Sequence, residues 1–303
     1  MARTIWVISV GLVLLFAVEA DGQDGRLQRV RDNVGAATPG EPNAKGASSA
    51  SNDDAESLLG AFLGALLTAE DDDGRSVGGM MLAYSFFAPF YLPAVALGDS
   101  YKERLLFAPY PYAGAYRGYQ VLPVELAETR YNETTDSLRR KVWAGRVLFE
   151  NGNDLAGLNR AGIQLKLEHV SRWGLLTNWN FLHEKLGNGR CDDAWVSDTN
   201  ITFRFAQNEI ASMYTGLGFR MLTDRRQTDF GFNFTYGGDW FPVRPLVFSG
   251  VLNAGTLGSA GVIHLRGSAG LIWHGVEVYG GYDFLRIGGT NLDGPMVGMR
   301  FWF

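Results

Sequence analysis

VIHLRGSAGLI, residues 262–272, alternates apolar with polar or small side chains at every second position. An extended strand would place Ile263, Leu265, Ala269 and Leu271 on one face and His264, Arg266 and Ser268 on the other. Successive side chains of a β-strand point to opposite faces of the sheet. The stretch therefore predicts a strand with one apolar and one polar face.

The same period of two recurs from Lys141 to Phe303, for example in AGIQLKLE (161–168) and DFGFNFTYG (229–237). The segments have 9–13 residues, which is enough for the roughly 9–11 residues that a tilted strand needs to cross a bilayer. They exceed the five or six residues, roughly, of strands in globular sheets. The predicted strands are 141–150, 159–170, 175–184, 194–206, 210–222, 228–239, 246–255, 261–272, 276–286 and 295–303.

Composition excludes several classes of protein. The mean hydropathy of -0.05 is too polar for a bundle of membrane helices, whereas a membrane barrel alternates lipid-facing and lumen-facing residues. The net charge is -5, and Lys and Arg are scattered without a basic block of the kind that binds nucleic acid. The single cysteine, Cys191, excludes an intrachain disulfide and a CxxC zinc site.

The first 20 residues have the pattern of a secretory signal peptide. Arg3 precedes a continuous apolar run over 5–18, and small residues suited to signal peptidase end at Ala20. The alternative is an uncleaved anchor, but the run is shorter than the roughly 20 residues that span a bilayer as a helix. We therefore predict export, with cleavage after Ala20.

Residues 21–53 are predicted to be a disordered linker. Their only large aliphatic residues are Leu27, Val30 and Val34, too few to offset the entropy of ordering the segment.

A periplasmic or plug-like segment is expected over 54–137. Leucines at helical spacing predict a short helix over 54–69 that plugs the barrel, lies on the membrane surface or simply packs on its neighbours. The apolar stretch 77–98 contains Pro89 and Pro93, each of which disfavours helix. It is predicted to be irregular and packed near the barrel mouth.

The connections between strands predict an orientation. Tight turns are expected after the even-numbered strands and longer loops after the odd-numbered ones, as in membrane barrels with short periplasmic turns. Tryptophans cluster at the expected tight turns, where an interfacial aromatic girdle belongs. The predicted girdle consists of Trp173, Trp240, Trp273 and Trp302.

The last segment, PMVGMRFWF (295–303), alternates Val297, Met299, Phe301 and Phe303. It resembles the closing strand of bacterial outer-membrane β-barrel proteins, and the resemblance extends over about residues 141–303. In that family a terminal aromatic residue is implicated in recognition by the barrel-assembly machinery, which gives Phe301 and Phe303 the role of an assembly signal. The resemblance implies a closed antiparallel transmembrane barrel of about ten strands (8–12) in the bacterial outer membrane, with lipid and the assembly machinery as partners.

A soluble secreted β-sandwich or lipocalin-like barrel would show the same alternation with its apolar face inward. The many charges on the polar faces, opposite large aromatics, favour the membrane barrel. Buried charges have to be paired, so a ladder of pairs is expected to fill the lumen. Its members are Lys166, Glu168, Asp198, Arg204, Arg220, Asp239, Arg266, Glu277, Asp283 and Arg300.

These observations favour a structural or surface-interaction barrel of the cell envelope, with a small porin-like pore for ions or small solutes as the alternative. Catalysis is not expected. His264 is the only inward histidine, and Ser268 on the same strand face is about 13 Å away. No phosphate-binding loop or metal-ligand spacing occurs, and Asp71-Asp72-Asp73 is better explained as a solvated acidic run than as a calcium site. No cofactor and no metal are predicted.

Overall fold

The computed structural model describes residues 25–35, 77–99, 111, 143–154, 157–186, 189–208, 210–225 and 227–303, with the backbone alone over 77–86. Ten antiparallel strands form a closed barrel in which every strand pairs with its sequence neighbours and β1 pairs with β10. The strands are β1 Trp143–Asn153, β2 Leu158–His169, β3 Trp173–Lys185, β4 Cys191–Gln207, β5 Ala211–Thr223, β6 Thr228–Trp240, β7 Leu246–Leu257, β8 Ala260–Trp273, β9 Val276–Ile287 and β10 Thr290–Trp302.

The closed barrel predicted from the alternation is confirmed, and its polar faces point inward. Along β8 every second side chain is exposed, and the exposed set contains Ile263, Leu265 and Leu271. The charged and polar side chains between them are buried in the interior. A soluble barrel would have the opposite arrangement, so the geometry contradicts the lipocalin-like alternative.

The outward apolar band has the height that a membrane requires. On β8 it runs from Ile263 to Trp273. Ten residues of strand extend about 33 Å, which corresponds to about 25 Å along the barrel axis at a tilt of about 40°. This is the height of the apolar band of outer-membrane barrels.

The two ends of the barrel have connections of similar length. We call the end where β1 begins and β10 finishes the turn end, and the end where β1 passes to β2 the loop end. The connections at both ends contain two to five residues. The predicted difference between short turns and long loops is therefore wrong, because strands continue into Gly- and Asp-rich stretches that resemble loops. Left-handed glycines such as Gly258 and Gly288 make the loop-end connections tight.

A short helix, α1 (Arg26–Gly35), occupies a segment predicted to be disordered. Its aliphatic residues Leu27, Val30 and Val34 are spaced i, i+3, i+7 and are all buried on one face. The prediction of disorder is wrong for these residues, because the barrel supplies apolar surface that the segment cannot supply for itself.

The apolar stretch predicted to be irregular is also helical and forms α2, Val77–Ala96. Pro93 has no N–H to donate to the carbonyl of Pro89, one turn earlier. The hydroxyl of Tyr236 on β6 donates to that carbonyl at 2.8 Å instead. The prediction failed because a tertiary contact replaces the missing helical hydrogen bond. The helix predicted over 54–69 lies outside the described residues.

So far as the described residues extend, neither helix is both long and apolar enough to cross a membrane.

Phe303 closes the seam between the first and last strands. It follows the end of β10 and exchanges two backbone hydrogen bonds with Gly145 of β1, of 2.8 and 2.9 Å. Its ring occupies the space above Gly145, where a Cβ atom would lie 2.7 Å from the ring. Gly145 therefore makes room for the terminal aromatic ring that is predicted to be part of the assembly signal. The neighbouring Phe301 points outward.

Deleting Phe303 should slow barrel closure, because the seam loses two hydrogen bonds worth about 0.5–1.5 kcal/mol each together with the ring contact. The time course of the heat-modifiable folded band on gels measures this effect. Gly145→Val should cause a similar delay with the C-terminus intact, whereas Ile263→Leu, at an exposed position of β8 away from the seam, serves as the control. Normal rates in both the deletion and Gly145→Val would show that this contact has no part in closure.

Candidate functional site: the filled lumen and its helical cap

At the turn end the lumen is filled by ion pairs that cross between strands. Arg146 of β1 reaches Asp239 of β6 at 2.7 Å, from the opposite side of the barrel. Arg300 of β10 pairs with Glu277 of β9 at 2.8 Å, and the guanidinium also donates to Ser249 and Ser268. We call this group, with Lys166, Glu168, Arg204, Tyr214 and Trp302, the turn-end layer.

Cations of the turn-end layer lie over aromatic rings. The ammonium of Lys166 lies 3.6 Å from the centroid of the Tyr214 ring and 3.3 Å from Glu168. Arg146 lies 5.1 Å from the Trp302 ring, whose indole N–H donates to Glu277 at 2.9 Å. Contacts of this kind stabilise cations that are held away from water.

A second set of ion pairs lies nearer the loop end. Arg266 of β8 pairs with Glu150 at 2.9 Å and with Asp283 at 3.1 Å. Asp283 also pairs with Arg160 and lies 2.8 Å from the imidazole of His264. One carboxylate thus holds groups from β2 and β8 against β9, so the strands are cross-linked through the interior.

A belt of amides joins these charges around the middle of the barrel. Gln164 donates to Asn178 at 2.5 Å, and Asn178 donates to Asp198 at 2.7 Å. Asn200 donates to the same Asp198 oxygen, and Asn233 donates to Asn200 at 2.8 Å. Within the described part of the chain, the side-chain oxygens of Gln164 and Asn233 receive no hydrogen bond. Buried oxygens of this kind are typical sites for ordered water.

All ten charges predicted for the lumen ladder lie on inward-facing positions and are at most 9% exposed. Most pair across strands as described above. Arg204 lies 3.9 Å from Glu168, and Arg220 lies at the same distance from Asp198. Sequence reasoning missed Arg146, Glu150 and Arg160, which complete the pairs. The signal was present, since Arg146 and Glu150 lie four residues apart in a predicted strand and so share a face.

Three of the four tryptophans predicted for the aromatic girdle lie on the outer surface. Trp173, Trp240 and Trp273 point outward at the turn end, and Trp273 is 78% exposed. Trp302 is 4% exposed and points into the lumen, so the prediction is wrong for this residue. Arg300 faces inward, and strand alternation places the residue two positions later on the same face. Trp143, which was not predicted, lies outward at this end.

Side-chain contacts inside the lumen hold both ring nitrogens of His264. One ring nitrogen lies 2.8 Å from Asp283, and the other is 3.5 Å from Asn253. Ser268 accepts a hydrogen bond from Arg300 at 2.9 Å. Among the described residues, no group of three or more His, Cys, Asp or Glu side chains is arranged to hold a metal ion.

At the loop end the lumen lining becomes apolar, and α1 covers it. The buried face of α1 packs into a ring of inward side chains contributed by strands on all sides of the mouth. The ring consists of Leu158, Leu182, Ala194, Val196, Leu222, Leu257, Ala260, Val262, Leu285, Ile287 and Leu292. The helix therefore acts as an apolar cap on a polar interior.

Carboxylates of the barrel hold the first turn of the cap. Glu184 of β3 accepts hydrogen bonds from the backbone N–H groups of Arg26 and Leu27, at 2.7 and 2.9 Å. An anion at this position also interacts favourably with the helix dipole. The side chain of Arg26 pairs with Asp154, the first residue of the connection between β1 and β2.

Further contacts attach α1 to the other connections. Arg31 pairs with Asp192 at 2.6 Å and with Asp224, and its hydrogen bond to Asp192 is the main reason that its pKa is raised. Asn33 donates to Thr290 at 3.1 Å, and Ser259 donates to the carbonyl of Val34 at 2.9 Å. The helix thus contacts residues in or beside all five loop-end connections.

A closed barrel with an apolar exterior and a charged interior defines the class of transmembrane β-barrels. No family model matches the sequence, and no curated protein matches it. The fold is similar to the Yersinia pestis outer membrane protein Ail in a phospholipid bilayer nanodisc, with 13% identity, 53% of this chain and 98% of that chain covered, and a TM-score of 0.30. It is also similar to CdiB from Acinetobacter baumannii, with 6% identity, 80% and 67% covered, and a TM-score of 0.27. At this level of similarity the function of neither protein transfers to this chain.

Replacing Arg266 with Leu should reduce the stability of the barrel by about 3–5 kcal/mol, because Glu150 and Asp283 each lose a buried partner. Leu265→Arg, on the lipid face of the same strand, should cost about 2–4 kcal/mol near the bilayer midplane. Urea titrations of the heat-modifiable band compare both variants with Arg225→Leu, a control at a side chain that is 90% exposed. An Arg266→Leu barrel as stable as the control would contradict the buried charge network.

Proposed function

We propose that the protein is an outer-membrane barrel of structural or surface-interaction type whose lumen does not pass solutes. The observation that carries the proposal is the filling of the interior by paired charges from opposite walls, as in the Arg146–Asp239 pair. An ion passing this layer would have to separate buried pairs, and breaking one such pair costs about 3–5 kcal/mol. The α1 cap adds an apolar barrier at the loop end.

A narrow pore is the second candidate, and the amide belt is the observation that favours it. Among the described residues, the side-chain oxygens of Gln164 and Asn233 in this belt receive no hydrogen bond, which favours water in the middle of the lumen. The cap is also removable in principle, since α1 has 10 residues and isolated helices shorter than about 12–15 residues are marginal in water. In this second candidate, release of α1 opens the loop end.

Conductance in a planar bilayer distinguishes the two functions. The variant Leu27→Asp/Val30→Asp buries charges in the apolar ring and should release α1, while Asp32→Asn on the exposed face of the helix is its control. For a closed barrel we expect wild type and both variants to be silent, because the turn-end layer remains. Conductance only in the double variant would establish a capped pore, and conductance in wild type would overturn the proposed closed barrel.

We further propose that the chain is exported with cleavage after Ala20 and is inserted into the bacterial outer membrane by the barrel-assembly machinery. In outer-membrane barrels an even number of strands puts both chain termini of the barrel, which lie at the turn end, on the periplasmic side. In this orientation the loop end faces the exterior. Cys191, the first residue of β4, is exposed at that end.

A membrane-impermeant maleimide should therefore label Cys191 on intact cells, and the labelled protein should fractionate with outer membrane. The matched control is Val243→Cys in a Cys191→Ser background, since Val243 is exposed at the turn end. That variant should react only after permeabilisation. The reverse pattern would invert the orientation, and recovery in the detergent-free soluble fraction would refute the membrane location.

A further inference from the structure

The described side chains of α2 pack on the outer wall of the barrel, at the turn end of β4–β6. Phe90 meets Phe205 edge-on at 5.5 Å between ring centroids and Tyr236 at 5.9 Å. Ala94 is buried in the same cluster, which also contains the outward side chains of Phe203 and Met213. The helix therefore covers part of the apolar belt that the barrel turns toward lipid.

The opposite side of the described part of α2 is apolar and largely exposed. Four large side chains on it are each more than half exposed: Phe87, Tyr91, Leu92 and Val95. They are spaced i, i+4, i+5 and i+8 and so share one helix face. Residues 77–98 contain no Asp, Glu, Lys or Arg. Both faces of the described part of α2 are thus apolar, which is typical of a helix surrounded by apolar material.

The backbone carbonyl of Pro89 in α2 receives its hydrogen bond from protein, as a hydrocarbon environment requires. In water, the Pro89 carbonyl that Pro93 leaves without a donor would bind solvent. In a bilayer core an unsatisfied backbone group costs several kcal/mol, so a protein donor is needed. The Tyr236 hydroxyl supplies it at 2.8 Å.

The first charged residue after α2 is Asp99, three positions beyond the end of the helix. Gly98 adopts a left-handed conformation with φ of 67°, and the next residue, Asp99, forms a double contact with Arg172 at 2.5 and 2.6 Å. The same carboxylate accepts the backbone N–H of Gln207 at 2.9 Å. Arg172 belongs to a turn-end connection, so this anchor lies at the rim of the barrel, where a membrane interface is expected.

We propose that α2 is buried in the bilayer beside the barrel and that its exposed face contacts lipid acyl chains. The inferred contact rests on the proposed membrane location of the barrel. The argument for lipid, rather than a second copy of this chain, is continuity, because the wall beneath α2 and the wall around it belong to one lipid-facing belt. Contact with acyl chains does not require α2 to cross the bilayer.

Fluorescence quenching tests the contact directly. Three variants in the Cys191→Ser background each carry one bimane-labelled cysteine. The substitutions are Leu92→Cys on α2, Leu265→Cys on the lipid face of β8, and Val243→Cys in a turn. The proteins are reconstituted in phosphatidylcholine vesicles with or without brominated acyl chains. Brominated lipid should quench most of the emission at Leu92 and Leu265 and little at Val243, while aqueous iodide should do the reverse.

The outcomes separate the two proposals. If Leu265 is quenched by brominated lipid and Leu92 only by iodide, α2 lies in water and the lipid contact is refuted while the barrel location stands. If neither quencher reaches Leu92, protein covers it, and the lipid contact is again refuted in favour of a second copy. If Leu265 is not quenched by brominated lipid, the membrane location itself is wrong.

A mutant cycle tests the backbone argument. Tyr236→Phe removes the donor to the Pro89 carbonyl, and we expect a cysteine placed at Ala94, under the helix, to react several times faster with a membrane-permeant maleimide. Pro93→Ala restores an internal N–H donor and should return the double variant to the slow rate. Tyr91→Phe on the exposed face is the control. An unchanged rate in Tyr236→Phe would mean that water hydrates the carbonyl, which contradicts burial in lipid.

Discussion

The structure depends on neutralising charge inside a narrow barrel. Once apolar side chains face outward on ten strands, strand alternation forces the remaining positions inward, and many of those carry formal charges. An unpaired charge there would be prohibitively unstable, so Arg146, Arg266 and Arg300 each have a carboxylate within 2.9 Å. These contacts join strands that are distant in sequence. The charges can therefore pair only when the whole sheet is in its observed register.

The sequence was sufficient for the barrel because alternation is a local signal that repeats. Ten segments, their approximate bounds and their inward charges can all be read from the period of two. The identity of the pairs cannot, since Arg146 meets Asp239 across the lumen, and the distance depends on barrel diameter and strand stagger. Trp302 shows the limit of reasoning by residue type. An indole ring suits an interfacial girdle. Trp302, however, lies two positions after the inward-facing Arg300 on the same strand, so it points into the lumen and donates to Glu277.

The two helices were missed for a common reason. Each violates a local rule and is stabilised by the barrel. The α1 segment has too little apolar surface to order itself, but the ring at the loop end buries its three aliphatic residues. In α2, Pro93 removes a hydrogen bond that Tyr236, which is 143 positions later in the chain, replaces. Such compensation is visible only after the strands are assembled in space, so propensity and composition could not have indicated it.

The placement of α1 has a consequence for biogenesis. Its partners, from Asp154 to Thr290, are distributed over nearly the whole barrel sequence and come together only when the strands are in register. The α1 segment precedes every described strand in the chain, but it is therefore among the last to acquire its final conformation. Until then its three aliphatic residues have no apolar surface to pack against, so the helix is not stable on its own. Docking of the helix marks a finished barrel, so a single early segment distinguishes completed molecules from stalled ones.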